Sequence, residues 1–144
     1  RDNFVERHPN MRFVGAHLGS LEWSVEELAK RLDKYPNMAV DMAARIGHLQ
    51  YQSQKDYEKI RQFFIKYQDR LIYATDSHID SESDPIKSKN NLHHTWLEDW
   101  RYFTSDEKMT NSVVEGAFLG LRLPKEVIDK VFHHNAVRWF KMKD

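Results

Sequence analysis

Three short apolar runs in this chain each lead into side chains that can do chemistry. Phe13-Val14-Gly15-Ala16 leads to His17. Met38-Ala39-Val40 leads to Asp41, with Arg45 four positions on. Leu71-Ile72-Tyr73-Ala74-Thr75 leads to Asp76, with His78 two positions further. A neutral imidazole accepts or donates a proton near neutral pH. A carboxylate that closes an apolar run is costly to desolvate unless hydrogen bonds or a cation compensate it, so Asp76 implies a partner. A divalent ion is the simplest one, because it lowers the pKa of a bound water to about 7 and polarises a carbonyl. Arg45 has the fork of donors that suits a substrate carboxylate.

Each of these residues has a plainer reading. His17 can be a histidine bonded to backbone at a strand end, and Asp76 a turn aspartate ahead of a serine-rich loop. Asp41 can be structural, Arg45 a solvated loop arginine and His78 a loop residue. The pairs His93-His94 and His133-His134 are adjacent, so in helices their side chains diverge by about 100° and do not chelate together.

The elements that must position these groups alternate along the chain. Pro9-Asn10-Met11 is echoed by Pro36-Asn37-Met38, 27 positions later, and each Pro-Asn turn signal precedes an apolar run. Short apolar runs without strict alternation suit strands buried on both faces. Ser24 and Glu27 make a capping box ahead of Val25, Leu28, Ala29 and Leu32. Tyr57, Ile60, Phe64 and Tyr67 predict a helix over 54–68. The order strand, helix, strand, helix, strand is that of a parallel α/β sheet. Beyond it, 76–90 reads as an acidic loop and 90–103 as a helix with Leu92, Trp96, Trp100 and Phe103 inward. The run Val113–Leu121 gives no convincing fourth strand. A final helix opens at Pro124, with Val127, Ile128, Val131 and Phe132 as its stripe. In parallel architectures chemistry sits at the C-terminal ends of the strands, so His17, Asp41 and Asp76 are expected to share one mouth.

Composition removes several function classes. The 144 residues hold 22 Lys+Arg and 22 Asp+Glu, so no basic field favours nucleic acid or an anionic membrane. Cysteine is absent, which excludes disulfides, thiolate metal sites and a cysteine nucleophile. No run approaches the ~18 apolar residues of a membrane span, and the first ten residues lack the apolar centre of a signal peptide. A soluble chain, cytoplasmic or periplasmic, is expected. It starts at Arg1 without a methionine, which reads as a piece of something longer. Three strands do not close, whereas about 31 residues per unit matches a (β/α)8 barrel of about 250. No glycine-rich loop follows any strand, against a flavodoxin-like phosphate binder.

The stretch Pro9-Asn-Met-Arg-Phe-Val-Gly-Ala-His-Leu-Gly19 resembles the sixth strand of the amidohydrolase superfamily, in its amidohydrolase-related (amidohydrolase 2) branch. Tyr35-Pro-Asn-Met-Ala-Val-Asp-Met42 resembles that branch's seventh strand and Asp69-Arg-Leu-Ile-Tyr-Ala-Thr-Asp76 its eighth. Leu123 to Phe140, with Asn135-Ala136 before an aromatic, is similar to its closing helix. Ser20, where a second glycine is common, and Ala74-Thr75, in place of Gly-Ser, depart from the pattern. The resemblance implies the C-terminal portion, strands six to eight and the following helices, of a TIM-type (β/α)8 barrel. It implies a metal-dependent hydrolase of amide, ester or lactone bonds, acting on a small-molecule substrate with a divalent ion, Zn2+ first. By the same resemblance Asp76 is metal ligand and base, and His17 orients the water or stabilises developing charge; Arg45 and Asp41 are read as substrate-binding. The branch's His-x-His and fifth-strand histidine have no match here, which places them upstream and leaves this chain inactive alone. Non-oxidative decarboxylation of a carboxylic acid uses the same site. From another class, a half-barrel could be a non-catalytic assembly module whose partner is the missing N-terminal half or a second copy, since three strands leave an edge and an apolar face open.

Overall fold

The computed structural model describes residues 2–142. After a first helix, α1 (Asp2–Arg7), the two Pro-Asn turns lie side by side: Asn37 Nδ2 donates to Pro9 O (2.7 Å) and Phe13 N to Asn37 O (2.9 Å). They launch β1 (Phe13–Gly15) and β2 (Met38–Asp41), and β3 (Leu71–Ile72) completes a parallel sheet in the order β1-β2-β3. Phe13 stands opposite Met38 and Val40 opposite Leu71. The 27-residue echo would have put Met11 opposite Met38. The real register slips by two residues, one full side-chain period, so every side chain keeps its face.

One face of the sheet, with Met38, Val40 and Leu71, packs on the helices that connect the strands. Leu28 and Leu32 come from α3 (Val25–Lys34), Leu49 from α4 (Ile46–Lys55), and Ile60 and Phe64 from α5 (Tyr57–Lys66), all fully buried. Each such side chain contributes roughly 1.5–3 kcal/mol through burial. A short turn, α2 (Ala16–Ser20), precedes α3. Ser24 caps α3 by accepting the Glu27 amide (3.3 Å), but only half of the expected box forms. The Ser24 amide already donates to Leu21 O (3.1 Å), so the Glu27 carboxylate pairs with Lys30 instead. The single helix expected over 54–68 is two helices broken at Asp56. The Asp56 amide closes α4 on Gln52 O (3.0 Å), and its carboxylate opens α5 by accepting Lys59 N (3.0 Å).

Helix α6 (Pro85–Thr104) starts earlier than expected. Asp84 Oδ1 accepts the Ile86 and Lys87 amides (2.9 and 3.2 Å), and Pro85 occupies the first turn, where its missing N–H costs nothing. Its inward stripe also differs. Asp99, Tyr102 and Phe103 are buried, whereas Trp96 and Trp100, expected inward, are about half exposed at 49% and 47%. The tryptophans instead flank an apolar surface groove with Tyr73, Leu97 and Phe132. After α6 a small antiparallel ribbon forms, β4 (Lys108–Met109) with β5 (Phe118–Leu119), where no strand was expected; two-residue strands are too short to show a period.

The chain closes with α7 (Lys125–Asp129), a π turn (Lys130–His134) and α8 (Asn135–Phe140). The wider turn carries Asn135 inward, where its amide donates to Gln68 O (2.6 Å) and Leu71 O (2.8 Å). The Tyr73 amide donates to Val131 O (2.9 Å). Residues 71 and 73 point away from β2, so these bonds cover the outer edge of β3. The second face of the sheet, with Val14, Ala39 and Ile72, packs under Trp139 and Ala136 of α8. An open apolar face was expected there. Trp139 fills it, held by Nε1 donating to Asp69 O (3.0 Å) and by the Arg12 guanidinium 4.7 Å from the ring centroid. Among the described residues β1 has no strand on its other side, and no helix is long and apolar enough to cross a membrane.

Candidate functional site at the strand ends

All three chain exits from the parallel sheet lie at its C-terminal end, and each passes through the left-handed backbone region. After β1 these are His17 (φ 55°), Leu18 (55°), Gly19 (63°) and Ser20 (57°). After β2 it is Ala44 (53°), and after β3 it is Asp76 (62°). A run of four makes α2 a left-handed turn. Such a conformation costs an L-residue roughly 1–2 kcal/mol, and residues held in it concentrate at functional sites. Only Gly19 adopts it without strain. Its partner Gly15 is needed for another reason: a Cβ there would lie 3.0 Å from Gly19 Cα.

Asp41 holds this turn. Its Oδ1 accepts the His17 amide (2.9 Å) and the Ala43 amide (3.1 Å), tying the exit of β1 to that of β2. The His17 ring lies across the same junction, with Nδ1 2.8 Å from Ala43 O. A carbonyl only accepts, so that contact is a hydrogen bond when Nδ1 carries the proton. The neutral ring then keeps its lone pair on Nε2. A backbone carbonyl that fixes the tautomer in this way is also the usual support of a metal-binding or proton-accepting histidine.

Asp76 lies exposed beyond β3, and among the described residues no hydrogen bond or ion pair reaches its carboxylate. His78 is exposed too, 3.9 Å from Asp80. Leu18, next to His17, is buried in the core at 1% exposure, which anchors the turn from below. His17 with its free Nε2 and Asp76 with its open carboxylate both have the donor atoms a divalent ion takes. These are two donor groups. No group of three or more His, Asp or Glu that could hold a metal ion occurs among the described residues.

Beside these exits is a cleft of about 480 Å³ between the start of α4, the end of β3 and the middle of α6. Arg45 lines it; His17, Asp41 and Asp76 do not, although Ala74 and Thr75 do. Arg45 Nη1 donates to Ala44 O (3.1 Å), and Nε lies 3.4 Å from Glu22 Oε1, buried and without a hydrogen bond. The opposite wall brings residues that the sequence reading missed. Asp99, 8% exposed, accepts a hydrogen bond from Tyr73 Oη (2.9 Å). Burial raises its carboxyl to about 6, against the pull of that hydrogen bond and with help from neighbouring Glu98. Burial and the Asp99 charge push the Tyr73 phenol upward as well. Glu98 lies 3.5 Å from His94 on the same helix. The available signal was an aspartate three and four positions ahead of Tyr102 and Phe103, on the buried stripe of α6. The tryptophans at 96 and 100 masked it by suggesting a stripe one residue out of phase.

No curated protein and no solved structure matches the chain. A family model described as amidohydrolase matches residues 1–142, and it covers both the strand exits with His17 and Asp76 and the closing helix with Asn135. With the α/β architecture and its parallel strands, this match shows that the chain belongs to the amidohydrolase family.

Proposed function

We propose that this chain is part of a metal-dependent hydrolase that uses activated water to cleave an amide, ester or lactone bond. In this reading β1, β2 and β3 are the sixth to eighth strands of a (β/α)8 barrel, and the remaining strands and ligands precede Arg1. The observation that carries it is the His17 junction. An imidazole tautomer is fixed by a backbone carbonyl, in a strained turn, at the end of a parallel strand. A divalent ion, Zn2+ as first choice, would be held by His17 Nε2 and Asp76 together with upstream residues, and would supply Lewis acidity and a water of lowered pKa. Asp76, exposed and unpaired, is placed to take the proton of the attacking water. His17 Nε2 accepts a proton or, once protonated, donates to developing negative charge. Asp41 acts as a positioning residue, since its one oxygen already holds two amides of the His17 junction. Arg45 orients a substrate carboxylate at the cleft. Non-oxidative decarboxylation of a carboxylic acid is the second reading, favoured by the same Arg45.

The test is to express the reading frame that continues upstream of Arg1, then measure bound metal and metal-dependent turnover on chromogenic amide, ester and lactone substrates. The longer protein is expected to bind about one ion and to turn over, and Asp76→Asn to abolish turnover. The 144 residues alone are expected to be inactive. Metal-dependent turnover by the 144 residues, or full activity of Asp76→Asn in the longer protein, overturns the assignment.

A further inference from the structure

Asp99 is the one buried charged residue among the described residues; the other buried polar side chains are Gln50, Ser53 and Asn135. Those three are neutral and hydrogen-bonded: Gln50 to Asn111, Ser53 to Gln50 O, and Asn135 to two carbonyls. Asp99 has a single hydrogen bond, from Tyr73, and no cation pairs with it. Its helical neighbours do not supply one, since Glu98 adds a like charge and His94 is directed to Glu98. A buried carboxylate without a counter-charge is unfavourable and either takes up a proton or acquires a cationic partner. Its carboxyl, raised only to about 6, is still mostly ionised at neutral pH. Asp99 lines the 480 Å³ cleft, so the missing counter-charge can come from a ligand.

The cleft is polarised. Arg45 lies on the wall formed by the exit of β2 and the start of α4, with neutral Gln50, and Asp99 and Glu98 lie on the wall formed by α6, with Asn91, His94 and Thr95. Its volume lies within the range of small-molecule sites. We infer that this cleft binds a small molecule with a carboxylate at one end and an ammonium group at the other, Arg45 taking the carboxylate and Asp99 the ammonium. Arg45 Nε is buried against Glu22 Oε1 (3.4 Å) and Nη1 donates once to Ala44 O, so Nη2 and the second Nη1 hydrogen remain for a carboxylate. An ammonium satisfies Asp99 where a hydroxyl does not, because only the cation neutralises the buried charge. A metal ion at Asp99 fits less well, since no three His, Asp or Glu side chains among the described residues are grouped so as to hold one. This inference deepens the hydrolytic reading, and rests on it only in taking the mouth of these strands as the place where substrate is held.

The experiment is calorimetric titration of the purified, metal-stripped protein near neutral pH with three probes: 6-aminohexanoate, hexanoate and hexylamine. The double-ended probe is expected to bind at least about tenfold tighter than either single-ended one, which corresponds to about 1.4 kcal/mol. Asp99→Asn keeps the oxygen that accepts from Tyr73 and removes the charge. It should bring 6-aminohexanoate down to the affinity of hexanoate and leave hexanoate unchanged. Arg45→Gln should bring it down to that of hexylamine. Removing the uncompensated charge of Asp99 does not endanger folding, whereas Arg45→Gln takes the partner from Glu22, and circular dichroism checks the fold of both variants. Equal binding of the three probes, no binding at all, or a preference that survives Asp99→Asn overturns the inference. Because no metal is present, a negative result leaves the hydrolytic reading standing, and a positive one stands even where turnover is never found.

Discussion

Replacing Asp41 tests whether the left-handed turn is held or merely adopted. In Asp41→Ala the His17 and Ala43 amides lose their shared acceptor at 2.9 and 3.1 Å. Hydrogen bonds to a charged group contribute roughly 1.5–3 kcal/mol each, so the loss is about 3–6 kcal/mol. Against it works strain release. His17, Leu18 and Ser20 are L-residues at φ 55–57°, and at roughly 1–2 kcal/mol apiece their relaxation returns part of what is lost. Leu18, buried at 1%, limits that relaxation, because a turn that unwinds must pull it out of the core. The net destabilisation expected is therefore about 2–4 kcal/mol. Asp41→Asn retains an oxygen that accepts both amides and loses only the charge assistance, about half the strength, for about 1–2 kcal/mol. Urea unfolding followed by circular dichroism gives the two values, and amide exchange at His17 and Ala43 reports whether the junction opens. Asp41→Ala costing under about 1 kcal/mol, or no more than Asp41→Asn, with the His17 amide still protected, would refute the reasoning.

Three further outcomes follow from the same geometry. Ala44→Gly relieves φ 53° at an exposed position and is expected to stabilise by about 0.5–1 kcal/mol, read as a rise in melting temperature, whereas glycine in a right-handed position destabilises. Asp99, at about 6 in the folded protein against 3.8 ordinarily, binds more protons folded than unfolded between those values. Its contribution therefore favours folding at low pH and is lost as pH rises through about 6, a change on the order of 3 kcal/mol. Asp99→Asn should flatten that slope in urea midpoints taken across pH, and parallel curves for the two proteins would contradict it. Asn135→Asp sets a carboxylate against Gln68 O and Leu71 O and is expected to cost upwards of about 3 kcal/mol, more than Asn135→Ala; the two unfolding curves decide it.

Much of the fold was legible because its signals are local. Pro-Asn turns, three short apolar runs and a serine cap are written within a few residues each, and the parallel order follows from their alternation. The break at Asp56 was not legible, since one aspartate ends α4 and starts α5 without disturbing the apolar spacing on either side. The inward stripe of α6 was misread because tryptophan is the strongest hydrophobic signal available, yet packing turned Trp96 and Trp100 outward and took Asp99 and Tyr102 instead. At the site, residue types at strand ends pointed to His17, Asp41, Arg45 and Asp76. That Asp41 reaches back 24 residues to the His17 amide, and that Arg45 shares a cleft with Asp99, depends on distant contacts that no local pattern encodes.

The energetic asymmetry of the molecule bears on how such a mouth persists. Five L-residues at the three exits sit in the left-handed region, a stored cost of roughly 5–10 kcal/mol and comparable to the whole net stability of a domain. The opposite side is unstrained: Leu28, Leu32, Leu49, Ile60 and Phe64 are fully buried, and the caps at Ser24, Asp56 and Asp84 are satisfied. The helical layer thus offsets the strain, so relaxing an exit and losing its chemistry are separable events. At Ala44 the side chain carries no polar atom, and glycine should add stability while keeping the carbonyl that accepts from Arg45 Nη1. At His17 the same change frees the backbone but deletes the imidazole. A gain in stability at both positions, with affinity or turnover lost only at His17, is the pattern expected of strain kept for the side chain it presents. A loss at both means instead that these turns are the relaxed state of the chain.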